Sequence, residues 1–372
     1  MQTEQLFFEL IRVAIGTQES LSRIPTETEW NESYRMAEKQ AMIGICFEGV
    51  KRCTEAICSN EEVAMEEVFA RLNLSEQLYY DWMSMALQIE KRNKIVNGQC
   101  VDLQKRLVDD GFRSCILKGQ GVAMYYPNEW RDLRQSGDID VWVDGSKDDV
   151  LRYVNAVCPG GASGNLHVAF DVFENTGVEV HFTPSVLSGR RRNGMLQTWF
   201  GQQKEVQLRN EVNGIITPDV AFNVVFLLLH IFRHYMYEGI GLRQLTDYYF
   251  VLKAAHGDYR DGSVQKEIDD ALRFVDDLGL GKFASALMWV LGHVFFLPKE
   301  QMLWKPDERC GRRLLTIMME GGNFGHFTEK YKVTGWDKPV RRMSRYVRRN
   351  WYMFQDFPKE VFLNVWHKMG VG

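Results

Sequence analysis

Gly137-Asp138-Ile139-Asp140-Val141-Trp142-Val143 sets two carboxylates two positions apart at the head of an apolar run. In a β-strand successive side chains point to opposite faces, so Asp138 and Asp140 share one face while Ile139, Val141 and Val143 point into a core on the other. Two like charges side by side repel unless a cation lies between them, and hard oxygen ligands of this kind suit Mg²⁺ or Mn²⁺. Taken alone, the tetrapeptide also fits a solvated turn entering a strand, because Gly-Asp is a common turn pair.

Upstream, Cys115-Ile116-Leu117 reads as a short apolar strand, followed by Lys118-Gly119-Gln120-Gly121 and a helical stretch over 122–126. That junction offers glycine, free backbone N–H groups and the Lys118 cation, which suit phosphate. Downstream, 146–157 has the pattern of a charged amphipathic helix. Residues 166–172 and 178–182 then alternate apolar and polar, with Glu174-Asn175-Thr176-Gly177 between them, which predicts an antiparallel hairpin. Matching the apolar sets places Val172 opposite Val178 and Asp171 opposite Glu179. His167, Asp171, Glu179 and His181 then crowd the polar face.

On either side the period is helical. Segments 6–15, 30–42 and 75–96 carry apolar residues at three- and four-residue spacing. Thr217-Pro218-Asp219 reads as an N-cap followed by proline in the first helical turn, opening a buried helix over 220–232 and further helices nearly to the end. Joints near 109–113 and 210–214 divide the chain into a helical region 1–110, a mixed α/β core 111–212 and a helical domain 213–372.

The 372 residues are 45% apolar and 25% charged, which argues for filled interiors and against disorder. A formal charge of -4 gives no global attraction to nucleic acid or anionic lipid. The first residues lack the basic flank and apolar stretch of a signal peptide, and no run approaches the roughly 18 apolar residues of a membrane span. A cytoplasmic chain without a membrane partner is expected. Seven scattered cysteines, none spaced Cys-x-x-Cys, suggest reduced thiols rather than disulfides or a zinc site.

Gly119, Asp138-x-Asp140 on a strand and the single acid of Val178-Glu179-Val180 resemble the DNA polymerase β-type nucleotidyltransferase superfamily. Leu117-Lys118-Gly119, Tyr126-Pro127, Arg134, Gly137-Asp138-Ile139-Asp140, Val178-Glu179-Val180-His181 and Gly241-Leu242-Arg243-Gln244-Leu245-x-Asp247 together resemble its branch of uncharacterised bacterial nucleotidyltransferases. The resemblance implies an α/β fold of the α+β kind, a small mixed sheet with helices on one face, flanked by N-terminal and C-terminal helical regions. It also implies an NTP donor, two Mg²⁺ (or Mn²⁺) on Asp138 and Asp140, and Glu179 as a third carboxylate that helps deprotonate an acceptor hydroxyl. The acceptor itself, whether small molecule, protein or RNA, is left open. One departure stands out: the superfamily follows its glycine with glycine or serine, and this chain has Lys118-Gly119-Gln120.

Lys118, Gly119, Arg134 and Gly137 are the nucleotide-binding candidates, with Arg134 offering a planar fork to phosphate. His167 and His181 are candidate contributors from the polar face, against ordinary hydrogen-bonding roles. His230, His234 and Glu238 fall on one helical stripe that suits a transition metal or, more simply, turns a histidine toward the nucleotide. Arg243 and Asp247 at i, i+4 read as a helix salt bridge or as site residues. Arg190-Arg191-Arg192 in a glycine-bounded loop and the basic run over 341–349 read as solvated faces rather than nucleic-acid contacts. The competing functional reading is a silent nucleotide-binding or regulatory module acting with a protein partner. On sequence alone, Asp140→Ala is expected to leave folding intact, because it thins out crowded carboxylates.

Overall fold

A computed structural model describes residues 2–58, 63–260, 264–323, 351 and 353–361. The N-terminal part is helical: Gln2–Ala14, Glu27–Lys39, Ile43–Cys58, Met65–Leu72 and Glu76–Asp109. Thr26 and Glu29 cap one helix reciprocally and the Ser75 hydroxyl caps the long one. The long helix runs well past residue 96. Asn93, Val96, Cys100, Leu103, Gln104 and Leu107 keep a buried stripe at helical spacing, and no proline interrupts it.

Four strands follow: β1 (Ser114–Ile116), β2 (Ile139–Val143), β3 (His167–Ala169) and β4 (Val178–His181). Their order is β1-β2-β4-β3, with β2 and β4 parallel and the outer pairs antiparallel, so the sheet is mixed. Ile139, Val141 and Val143 lie on one face with Val168, Val178 and Val180, covered by the long helix and by Lys147–Val157. Trp142 leaves by the other face and stacks on Phe222 at 6.1 Å between ring centres. The strand alternation read from 137–143 therefore separates two cores, one under each face.

The hairpin forms with a different register. His167 pairs with His181, Val168 with Val180 and Ala169 with Glu179, two residues away from the expected match. Val172 N–H donates to Phe170 C=O, a tight turn that takes Asp171 and Val172 out of the ladder, and Phe170 N–H reaches Val178 C=O. A shift of two preserves parity, so each side chain keeps its face while its partner changes. Asp171 does not oppose Glu179, and Val172 does not oppose Val178.

Three further expectations change. Arg190-Arg191-Arg192 is no loop but the first turn of the helix Arg190–Gln207, with Gly189 at φ 91° as its N-cap. The stretch 210–214 holds a small hairpin, β5 (Glu211–Val212) with β6 (Ile215–Ile216), turning on Asn213 and Gly214, both at positive φ. Asp219, not Thr217, caps the next helix, accepting from Phe222 N–H at 2.7 Å, while Thr217 Oγ1 donates to Ile116 C=O.

That helix, Val220–Tyr237, is long and apolar enough to cross a membrane by length and composition, a property the sequence reading had missed. Here it is the central core helix, with most of its residues buried. Leu242–Arg260, Gln265–Asp277, Gly281–Phe295 and Glu308–Gly321 follow it, and two short helices, Gln120–Ala123 and Asn128–Arg131, lie between β1 and β2. Arg12 of the first helix donates to the carbonyls of His293 and Val294, tying that helix to the end of Gly281–Phe295. The basic run over 341–349 lies outside the described residues.

Candidate active site

Register assembles the centre. Asp140 and Glu179 are cross-strand partners on the parallel pair β2 and β4, and partners in register face the same side. His181, two residues after Glu179, shares that face, and the hairpin register brings His167 opposite it, with the rings 5.1 Å apart. Asp138 sits just before β2 on the same side, exposed to solvent.

Asp140 is buried, and its Oδ1 accepts from Lys118 Nζ at 3.0 Å and from His181 Nε2 at 2.9 Å. Burial alone would raise its pKa, but Lys118 and His181 outweigh it and hold the carboxyl well below the usual range. Burial lowers His181, but its contacts with Asp140 and Glu179 outweigh that and the repulsion of Lys118, so it is raised. Asp138 is raised by partial burial, then by the charges of Asp140 and Glu179. It makes no hydrogen bond or ion pair among the described residues. A carboxylate pressed by two like charges and left without a partner is the donor set a hard divalent cation would stabilise.

The tightest grouping is a different one. Ligand atoms of His167, Glu179 and His181 all lie within 4.8 Å of one another, and neither aspartate belongs to that group. His167 is held below its ordinary pKa, chiefly by burial.

In front of Asp138 and Asp140 opens a cleft of about 670 Å³, counted with the solvent at its mouth. Lys118, Gly119, Gly137, His230 and Arg243 line it, with Leu227 and Ile231 of the core helix as its apolar wall. His230 is buried there and pushed well below its ordinary pKa by burial and by Lys118. Arg243 is partly buried, and its pKa is lowered to about 10 by burial and by Arg134. Its Nη1 donates to Gln135 C=O at 2.9 Å. His234 pairs with Glu238 on its own helix at 2.8 Å, so the His230–His234–Glu238 stripe is split between the cleft and a surface pair.

Arg134 also reaches the cleft wall, but its fork faces inward. Its Nε and Nη2 donate to the two oxygens of Asp247 at 2.6 and 2.8 Å, and Tyr126 Oη donates to the same carboxylate. Asn93 Nδ2 donates to the carbonyls of Asp132 and Arg134. The segment leading into Asp138 is thus fastened from below. The fork expected to meet phosphate is engaged by Asp247, and Arg243 is the arginine lining the cleft beside the aspartates.

Two glycines are dictated by geometry. Gly119 has φ 61° and ψ −111°, a conformation that L side chains rarely adopt. A Cβ on Gly177 would stand 2.9 Å from Asp138 Oδ1. Gly177 was read only as turn chemistry, and its reason lies across the strand pair. Gln135, whose carbonyl receives both Arg134 and Arg243 and whose Oε1 receives Ile43 N–H, carried no signal in the sequence.

Gly119→Ala tests the first of these. The added methyl has room, with Asp138 C=O at 3.7 Å the nearest contact, so the penalty is backbone strain of about 1–3 kcal/mol. Urea unfolding should show that loss.

A family model described as an uncharacterised nucleotidyltransferase matches residues 26–295. No curated protein and no solved structure matches the chain.

Proposed function

The chain belongs to the uncharacterised nucleotidyltransferase family, and we propose that it moves a nucleoside monophosphate from an NTP to an acceptor hydroxyl, with Mg²⁺ or Mn²⁺ as cofactor. The observation that carries this reading is the in-register pairing of Asp140 with Glu179, with Asp138 on the same side, at the mouth of a cleft lined by Lys118 and Arg243.

Asp138, Asp140 and Glu179 would hold the ions, which when bound neutralise the triphosphate and lower the barrier to its attack. The chain's own groups do the rest. Lys118 and Arg243 place two cations on the phosphate side, and the Gly119 backbone permits close approach. Leu227 and Ile231 limit water on the opposite wall. The acceptor oxygen forms its bond to the α-phosphorus as the bond to the β-phosphate oxygen breaks, pyrophosphate leaves, and Glu179 takes the acceptor proton. Acceptors fitting this chemistry include a small molecule, a protein side chain and RNA.

Pyrophosphate release from each NTP with Mg²⁺, across a panel of hydroxyl acceptors, tests the proposal. Asp138→Ala should fold like the parent, because Asp138 is exposed and unpaired, yet lose at least about a hundredfold in turnover. Undiminished release by that variant would refute the assignment.

A further inference from the structure

We propose that His167, Glu179 and His181 form a binding site for a divalent transition metal of the Mn²⁺, Co²⁺ or Zn²⁺ class, beside the aspartates. It shares Glu179 with the carboxylate set above, but it does not require that the chain transfer a nucleotide.

Spacing is the first ground. His167 Nδ1 lies 3.2 Å from Glu179 Oε2, and His181 Nε2 lies 3.6 Å from the same oxygen. Ligands about 2.0–2.2 Å from a metal at tetrahedral angles are separated by roughly 3.3–3.6 Å. Both histidine nitrogens therefore stand near ligand spacing from the shared carboxylate oxygen, all three groups offer ligand atoms within 4.8 Å of one another, and two imidazoles with one carboxylate are a known donor set for such an ion.

The scaffold is the second ground. Glu179 and His181 are alternate residues of β4 and His167 is the direct partner of His181 on β3, so all three project from paired strands rather than loops. His181 is buried at 6% side-chain exposure, while His167 and Glu179 are about a third exposed, which leaves an entry path.

The third ground is an unused lone pair. His167 Nδ1 is buried and has no hydrogen-bond partner despite its short approach to Glu179. A plain hydrogen-bonded chain through Asp140, His181, Glu179 and His167 would need that contact aligned. Nor does metal binding strand Asp140: if His181 Nε2 turns its lone pair to the ion, Oδ1 keeps Lys118 Nζ at 3.0 Å. Imidazole nitrogen selects transition ions over Mg²⁺, which demands oxygen.

The test uses the full chain, stripped with a chelator and titrated with Co²⁺ while visible d–d absorption and heat are recorded. One Co²⁺ per chain with the strong visible absorption of imidazole ligation is expected, displaced by equimolar Zn²⁺ and not by a large excess of Mg²⁺, whereas Co²⁺ held by carboxylates alone absorbs weakly and yields to Mg²⁺. His167→Ala should weaken this imidazole-bound Co²⁺ by roughly tenfold or more. Should His167→Ala not fold, Glu179→Gln, also partly exposed, serves in its place. Parental Co²⁺ affinity in the ligand variant, or displacement of the strongly absorbing Co²⁺ by Mg²⁺, would overturn the site. Failure to release pyrophosphate would not, because that readout belongs to the transfer reaction alone.

Discussion

Asp140→Ala is expected to abolish metal-dependent turnover and also to unfold more easily than the parent, by about 2–4 kcal/mol. The sequence argued the reverse for stability, treating Asp140 as one of several crowded carboxylates. In the fold it is the buried counter-charge for two cations: Lys118 Nζ at 3.0 Å and His181 Nε2 at 2.9 Å. Removing one partner of a buried pair typically costs about 3–5 kcal/mol. The expected loss is somewhat smaller because Lys118 is 26% exposed and His181 can release its proton. Asp140→Asn keeps an acceptor for Lys118, so it should recover part of the stability and none of the turnover.

The pH dependence follows from the signs. Asp140 is lowered on folding, so its contribution is present above the unfolded carboxylate value, about 3.9, and is lost as pH falls through the folded one. His181 is raised, so its contribution is present below about 6.5 and is lost as pH rises through its folded value. The stability gap between parent and Asp140→Ala should therefore be widest between about pH 4 and 6.5. Urea denaturation across pH with a chelator present measures it. A flat or absent gap would mean that the buried pair does not form.

The legibility of this fold divides along a physical line. Alternation over 137–143 and 178–182 was readable because the side-chain period in a strand is two; it put Asp138 and Asp140 on one face of their strand and Glu179 on the polar face of its own, and the parallel pairing of the two strands then joins those faces. Helix starts were readable where a side chain caps locally, as at Ser75, and misplaced where two candidates stood together, as at Thr217 and Asp219. The hairpin register was not readable: the turn at Phe170–Val172 removes two residues, and matching apolar residues cannot detect a shift that preserves parity. That shift sets His167 against His181 and builds the histidine cluster. Pairs distant in sequence were also hidden. Spacing on a helix suggested that Asp247 serves Arg243, whereas its oxygens are held by Arg134, 113 residues away.

That distant pair carries the second large effect. Asp247→Asn should destabilise the chain by about 3–5 kcal/mol, because it leaves the guanidinium of Arg134, 6% exposed, without its charge partner. Arg243, partly buried close by and lowered by that burial and by Arg134, adds a second positive charge beside it. Arg134→Lys should fail similarly, since an ammonium cannot reproduce the two parallel bonds to Asp247. Replacing both partners with apolar residues of similar volume, Arg134→Met with Asp247→Leu, should cost less than either single change, because the Arg134 charge goes with its partner and the remaining Arg243 keeps its bond to Gln135 C=O. A double-mutant cycle in urea reads this directly. The apolar pair should also separate stability from chemistry: the segment 132–137 loses its fastening beneath Asp138, so turnover should drop in a chain that still folds. If the single Asp247→Asn variant matched the parent in stability, the buried pair would not be what anchors that segment.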